Sequence, residues 1–254
     1  MDTKTALADL GITEQTLTDE QRQALEKDGY FIVERYFSPE ICAQIGAEFD
    51  RFQELEGELG GQEVHTEAGA PRLSNVLNKS TVFDVCLEIE PLIAGAYHLL
   101  GPEIKIHGFN IRDASPGQGH QRLHSDGPKI APNSQDYRVV NSLILVDPFE
   151  KDNGPTRVVP GTHHGGDRPQ DILDDPEAPY PGELKVTAPA GSVVVMNAHT
   201  WHGGTKNVSG ARRRVLHLSY TRRDQPQQLM QRDFLTEPLY DRMSDAHRYL
   251  LDIA

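Results

Sequence analysis

The chain has 254 residues, 37% of them hydrophobic and 25% charged, enough to bury a generous core without disulfides. Acidic residues outnumber basic ones 38 to 25, and a formal charge of −13 repels phosphate backbones and anionic lipid, which argues against nucleic acid and membrane surfaces as partners. No apolar run approaches the roughly 20 residues that span a bilayer, and the opening MDTKTALADLGITEQ lacks the basic and apolar regions of a secretory leader, so the expectation is a cytoplasmic protein.

The first third reads as helical. Thr18 can cap a helix, with Gln21 completing a capping box, and Gly29 ends it. A short strand over Tyr30 to Glu34 follows. Ser38 then caps a second helix with Pro39 at its first position, and Ile41, Ile45, Phe49 and Phe52 form one buried stripe along it. A further helix near Pro91 to Leu100 stops at Gly101. Cys42 and Cys86, the only cysteines, fall in these helical segments without a CxxC partner and read as reduced, partly buried thiols.

From about residue 104 the pattern changes. Ile104, Ile106 and, less regularly, Phe109 and Ile111 suggest a strand, as do Val139–Val146, Leu184–Thr187, Val193–Met196 and Val215–Tyr220. The stretch from Glu150 to Glu183 is rich in Pro, Gly and Asp and reads as a long loop of the kind that forms lids or binding walls. From Pro226 onward the chain looks helical again. These elements predict one domain over 1–254: a helical part to about 103, a β-sandwich or barrel over about 104–221, and a helical tail over 222–254.

Two segments carry chemistry. In GHQRLHSDGP, His124 and Asp126 are two residues apart, so an extended chain presents both from one face and they can hold adjacent positions on one metal. A second histidine from a distant strand would complete a facial triad of two histidines and a carboxylate, a set that suits non-haem iron(II). GSVVVMNAHTWHGGTKNVSGARRRVLHLSY supplies it: a strand over Val193–Met196 leads to His202 at the following turn, and Arg213 opens the next strand. The Arg213 guanidinium can grip a carboxylate through two parallel hydrogen bonds. Arg212 and Arg214 alternate to the opposite face and read as solvated or structural. Among the eleven histidines, His65, His98, His107 and His247 have no partner nearby in sequence and are assigned no function.

DGYFIVERYFSPE, LHSDG, NGPTRVVPGTH, AGSVVVMNAHTWHGG and NVSGARRRV together resemble the phytanoyl-CoA dioxygenase family of iron(II)/2-oxoglutarate oxygenases. The pieces run in family order from about residue 18 to 221. The resemblance implies a double-stranded β-helix (jelly-roll, cupin-like) core, mainly β with flanking helices. It implies iron(II) on His124, Asp126 and His202, and 2-oxoglutarate, with O2 as the other cosubstrate, held at its distal carboxylate by Arg213. His199, fourteen residues before Arg213, fits the family spacing poorly. Asn110, Arg112 and Asn141 are candidate cosubstrate contacts. Arg72 stands where the family often has a basic residue facing the pocket, and Arg157 and His163 in the presumed lid are candidate substrate contacts, with His164 and Arg168 beside them. Halide-transferring relatives have a small residue in place of Asp126, so the carboxylate points to hydroxylation of an unactivated C–H bond of a small or medium-sized metabolite, with release of succinate and CO2. Two other readings keep the same residues: a cupin-type metalloenzyme that does not use 2-oxoglutarate, and a catalytically silent binding homologue.

Overall fold

The computed structural model describes residues 1–254. The opening helix α1 (Thr3–Asp9), capped by Asp2, has no counterpart in the sequence reading. Seven residues are too few for a clear 3.6 period; the segment is fixed by distant partners, with Thr3 bonded to the Tyr249 hydroxyl at 3.0 Å. Helix α2 (Asp19–Lys27) starts at the expected Thr18/Gln21 capping box and strand β1 (Tyr30–Val33) follows Gly29. Ser38 caps α3 (Pro39–Glu56), whose Cys42, Ile45 and Phe49 are buried. Next come the two-residue strand β2 (Arg72–Leu73), α4 (Val76–Lys79) and α5 (Glu90–Leu100). Cys42 and Cys86 are both free and buried. No helix is long and apolar enough to cross a membrane.

The β part comprises β3 (Ile104–Asp113), β4 (Val139–Leu145), β5 (Thr156–Val159), β6 (Leu184–Lys185), β7 (Val193–Asn197), β8 (Trp201–Gly204) and β9 (Arg214–Arg222), with the short α6 (Pro169–Ile172) between β5 and β6. Helices α7 (Glu237–Arg242) and α8 (Asp245–Leu251) close the chain. One antiparallel sheet runs β1-β7-β4-β9-β3-β2, and it faces a smaller sheet, β6-β5-β8. This is a double-stranded β-helix with helices against its outer face.

Period-two alternation sorts the side chains. Val140 and Ile144 of β4, Val193 and Val195 of β7, and Leu216, Leu218 and Tyr220 of β9 join the helices in the large core. Their neighbours Leu143, Leu145, Val194, Met196 and Val215 turn inward and pack on Val158 and Phe149, sealing one end between the sheets. Each such side chain contributes roughly 1.5–3 kcal/mol of burial. At the other end the same inward face is polar, and the cavity lies there. The irregular β3 pattern has a cause: register shifts between Ile106 and Gly108, a bulge that moves Phe109 and Ile111 into phase with the core and turns Asn110 and Arg112 inward.

The stretch 150–183 is not one loop. β5 lies within it, the central strand of the smaller sheet between β6 and β8, and its short length and Pro-Gly flanks mask it in the sequence. His202 sits within strand β8 rather than on a turn.

Candidate active site

The chain from Gly119 to Gly127 has no regular strand. It is laid along β8 by backbone hydrogen bonds from Gln121 N to Gly204 O and between His124 and His202. That close approach requires the two glycines after His202. A Cβ at Gly203 would stand 2.8 Å from the Arg122 carbonyl oxygen, and one at Gly204 2.5 Å from that of Gly119.

The result is a three-residue cluster. One ligand atom from each of His124, Asp126 and His202 lies within 4.8 Å of the others. His124 Nε2 is 3.6 Å from Asp126 Oδ1, and His202 Nε2 is 3.4 Å from Asp126 Oδ2. The Nδ1 atoms of His124 and His202 meet the carbonyl oxygens of Arg122 at 2.9 Å and Thr200 at 2.8 Å. A carbonyl only accepts, so both rings carry a proton on Nδ1 and turn Nε2 inward, the atom left to meet a metal. Asn141 Nδ2 donates to Asp126 Oδ2 at 3.3 Å, fixing the carboxylate. Enclosure opposes ionisation of Asp126, yet the facing imidazoles of His202 and His124 hold its carboxyl well below the usual range. Burial and the neighbouring His202 push His124 down; at His202 burial acts in the same sense, but the Asp126 charge outweighs it and raises the ring.

The cluster opens into a cavity of about 390 Å³, of whose 17 lining residues two, Val139 and Leu143, are hydrophobic. Asn110, Arg112, Asn141 and Arg72, the sequence candidates, all line it with the triad. Arg213 lines a smaller adjoining cleft that shares Glu67, Arg112 and Gln121 with the main cavity. The residue is 5% exposed, and its guanidinium stacks on Phe149 at 5.1 Å and makes no hydrogen bond; its Nε is sealed without a partner. Burial lowers its pKa to about 10, with the Arg112 charge adding to the effect. Arg212 and Arg214 point the other way, into ion pairs with Asp50, Asp113 and Asp147.

Two sequence candidates are elsewhere. Arg157 is 2% exposed, but its guanidinium is consumed by the carbonyl oxygens of Gln121, Pro176, Glu177 and Ala178 and by the Glu183 carboxylate. It clamps the 176–183 loop and does not face the cavity. His163 packs behind β8, with Nε2 bonded to the Glu26 carbonyl at 2.9 Å, and does not line the cavity either. His199 is buried apart from the triad, where its Nε2 accepts from Arg138 N.

Sequence reasoning missed several wall residues. Glu67, from the 60–71 loop, receives both oxygens' worth of bonds from Arg112 Nη1 at 2.9 Å and Gln121 Nε2 at 3.0 Å. Burial opposes its ionisation, but Arg112 and then Arg72 hold the carboxyl below its usual range. His217 accepts from Arg112 Nε at 3.0 Å and is pushed well down by burial and the surrounding guanidiniums. His217 and Ser219 were findable, since they alternate in phase with Arg213; Glu67 left no periodic signal. His65 and His107, assigned no role, also line the cavity.

The phytanoyl-CoA dioxygenase family model matches residues 25–215. An uncharacterised protein of Mycobacterium tuberculosis is 26% identical over 83% of this chain and 78% of its own length. An ectoine dioxygenase of Bordetella bronchiseptica is 26% identical over 76% of this chain and 71% of its own. The crystal structure of HygX from Streptomyces hygroscopicus, with nickel and 2-oxoglutarate bound, superposes with a TM-score of 0.66 at 13% identity, covering 83% of this chain and 89% of HygX. That likeness establishes the fold.

Proposed function

The chain belongs to the phytanoyl-CoA dioxygenase family, and on that footing we propose that it hydroxylates an unactivated C–H bond of a small or medium-sized metabolite, releasing succinate and CO2. It is a 2-oxoglutarate-dependent non-haem iron dioxygenase, with iron(II) as cofactor and 2-oxoglutarate and O2 as cosubstrates. His124, Asp126 and His202 are the proposed metal ligands. The observation that carries this is the paired Nδ1–carbonyl bonding, which aims two Nε2 nitrogens and a carboxylate at one point. Iron with 2-oxoglutarate supplies the oxidising power when bound. The protein's residues bind and orient. Asn141 fixes the Asp126 oxygen, while Arg213, buried and without a partner, is the proposed grip for the distal carboxylate of the cosubstrate. The apolar seal of Leu145, Val194 and Val215 excludes water from beneath the site. We place the reaction in one catalytic domain of a cytoplasmic protein.

Anaerobic addition of iron(II) and 2-oxoglutarate tests the reading. The expected result is a weak visible metal-to-ligand charge-transfer band in the wild type and none in His124→Ala. Iron bound without a band would favour a cupin-type enzyme that does not use 2-oxoglutarate.

A further inference from the structure

Two arginines stand directly opposite one another in the cavity wall. β2 pairs with β3 in the register Arg72↔Arg112, so two like charges occupy a cross-strand position where they repel. Arg112 is compensated, because Glu67 takes its Nη1 and His217 its Nε. Arg72 is not. Its side chain is 6% exposed, it makes no hydrogen bond, its Nε is sealed without a partner, and the nearest carboxylate oxygen, on Glu67, is 3.6 Å away and already held by Arg112 and Gln121. Burying a guanidinium in this condition costs stability, and it persists where a ligand completes it.

The charges fix what kind of ligand. Arg72, Arg112 and Arg213 face the site, against Glu67 and Asp126. Asp113 is spent outside the cavity on Arg212 and on the backbone of Arg213. An iron dication and a 2-oxoglutarate dianion cancel, which leaves one positive charge in excess among the arginines and carboxylates of the wall. A carboxylate balances it; a phosphate dianion overshoots. The rest of the wall is polar, with Asn110, Ser219, Gln228 and His107 offering hydrogen bonds and two hydrophobic side chains among 17.

Resting on the iron/2-oxoglutarate reading, we infer that the primary substrate is a small hydrophilic organic acid with one carboxylate, and that Arg72 is the residue that binds this carboxylate. The site selects by charge and hydrogen bonding rather than by apolar surface.

The test uses the full chain loaded with nickel(II), which supports no turnover, and 2-oxoglutarate. A panel of small hydroxylated monocarboxylic acids, each paired with its primary amide, is titrated while the melting temperature is read. At least one acid is expected to stabilise the protein, with its amide at least tenfold weaker. In Arg72→Gln the response to that acid is lost, in Arg72→Lys it is partly retained, and the 2-oxoglutarate affinity, read from the anaerobic iron band, stays within about threefold of wild type. Arg72→Met is a second variant, and the acid-against-amide comparison in the wild type needs no variant at all. Amides binding as well as acids, no acid binding, or an Arg72→Gln protein that has lost 2-oxoglutarate affinity tenfold would each overturn the inference; the last would make Arg72 a cosubstrate residue. Absence of the iron band in the wild type would instead remove the reading beneath it.

Discussion

His124 and His202 form one hydrogen-bonded antiparallel pair: His124 N donates to His202 O and His202 N to His124 O, both at 2.9 Å. Their rings lie with centroids 4.4 Å apart on the same side of that bridge. Two residues 78 positions apart are therefore set side by side by main-chain hydrogen bonds.

Because the bridge is made by main chain, removing the carboxylate between the rings leaves the frame standing. Asp126→Ala is expected to melt within about 2 °C of wild type without metal, which corresponds to less than about 1 kcal/mol. Its affinity for manganese(II) by calorimetric titration should fall at least roughly 100-fold, and Asn141→Ala, which frees the same carboxylate, by about 10- to 100-fold. Wild-type affinity in Asp126→Ala would remove the carboxylate from the ligand set.

Arg213 gives a separate signature. Loss of a charge-assisted pair costs about 1.5–3 kcal/mol, so Arg213→Leu should weaken 2-oxoglutarate binding roughly 10- to 150-fold. Since the guanidinium has no hydrogen-bond partner in the protein, the substitution should leave the melting temperature of the ligand-free protein equal or higher. A protein that unfolds instead would show Arg213 to be structural.

Arg157 should behave in the opposite way. Its guanidinium satisfies four carbonyls and Glu183 while almost wholly buried. Arg157→Met is expected to cost roughly 3–5 kcal/mol, a fall in melting temperature on the order of 10 °C, with metal affinity kept in the folded fraction. An unchanged melting temperature with impaired turnover would restore it as a substrate contact.

His163 links acid to stability. Burial lowers its pKa from 6.5 to about 4, against a hydrogen bond to Glu26 that works the other way. The folded state thus binds its proton less readily than the unfolded state does. The stabilisation is present above pH 6.5 and is lost as pH falls toward about 4, with a slope of up to about 1.4 kcal/mol per pH unit. His163→Gln, which can keep the bond to the Glu26 carbonyl, should flatten the fall in melting temperature between pH 6.5 and 4.5. An identical slope in the variant would assign that acid sensitivity to other groups, His199 first, which burial also lowers to about 4.

Much of this protein is local in origin and was readable from its residues. The capping box at Thr18, the Ser38-Pro39 start and the short apolar runs of β4, β7 and β9 follow from short-range stereochemistry, so these helices and strands stand where pattern and punctuation put them. His124, Asp126 and His202 could be picked out because their residue types and spacings are rare together, and an extended segment carries two of them on one face. Other features have no local cause. β5 and β8 are four-residue strands that exist because each pairs with the other, and α1 exists because α8 receives it. Arg157 and Arg72 look alike in the sequence, as basic residues near Pro and Gly. Tertiary structure separated them: one is surrounded by carbonyls that nothing nearby in the chain foretold, the other faces a cavity with its hydrogen bonds unmade. Which arginine is clamped and which is left without a hydrogen bond depends on what a distant loop brings within reach, and a charge's partner is a property of space rather than of order along the chain.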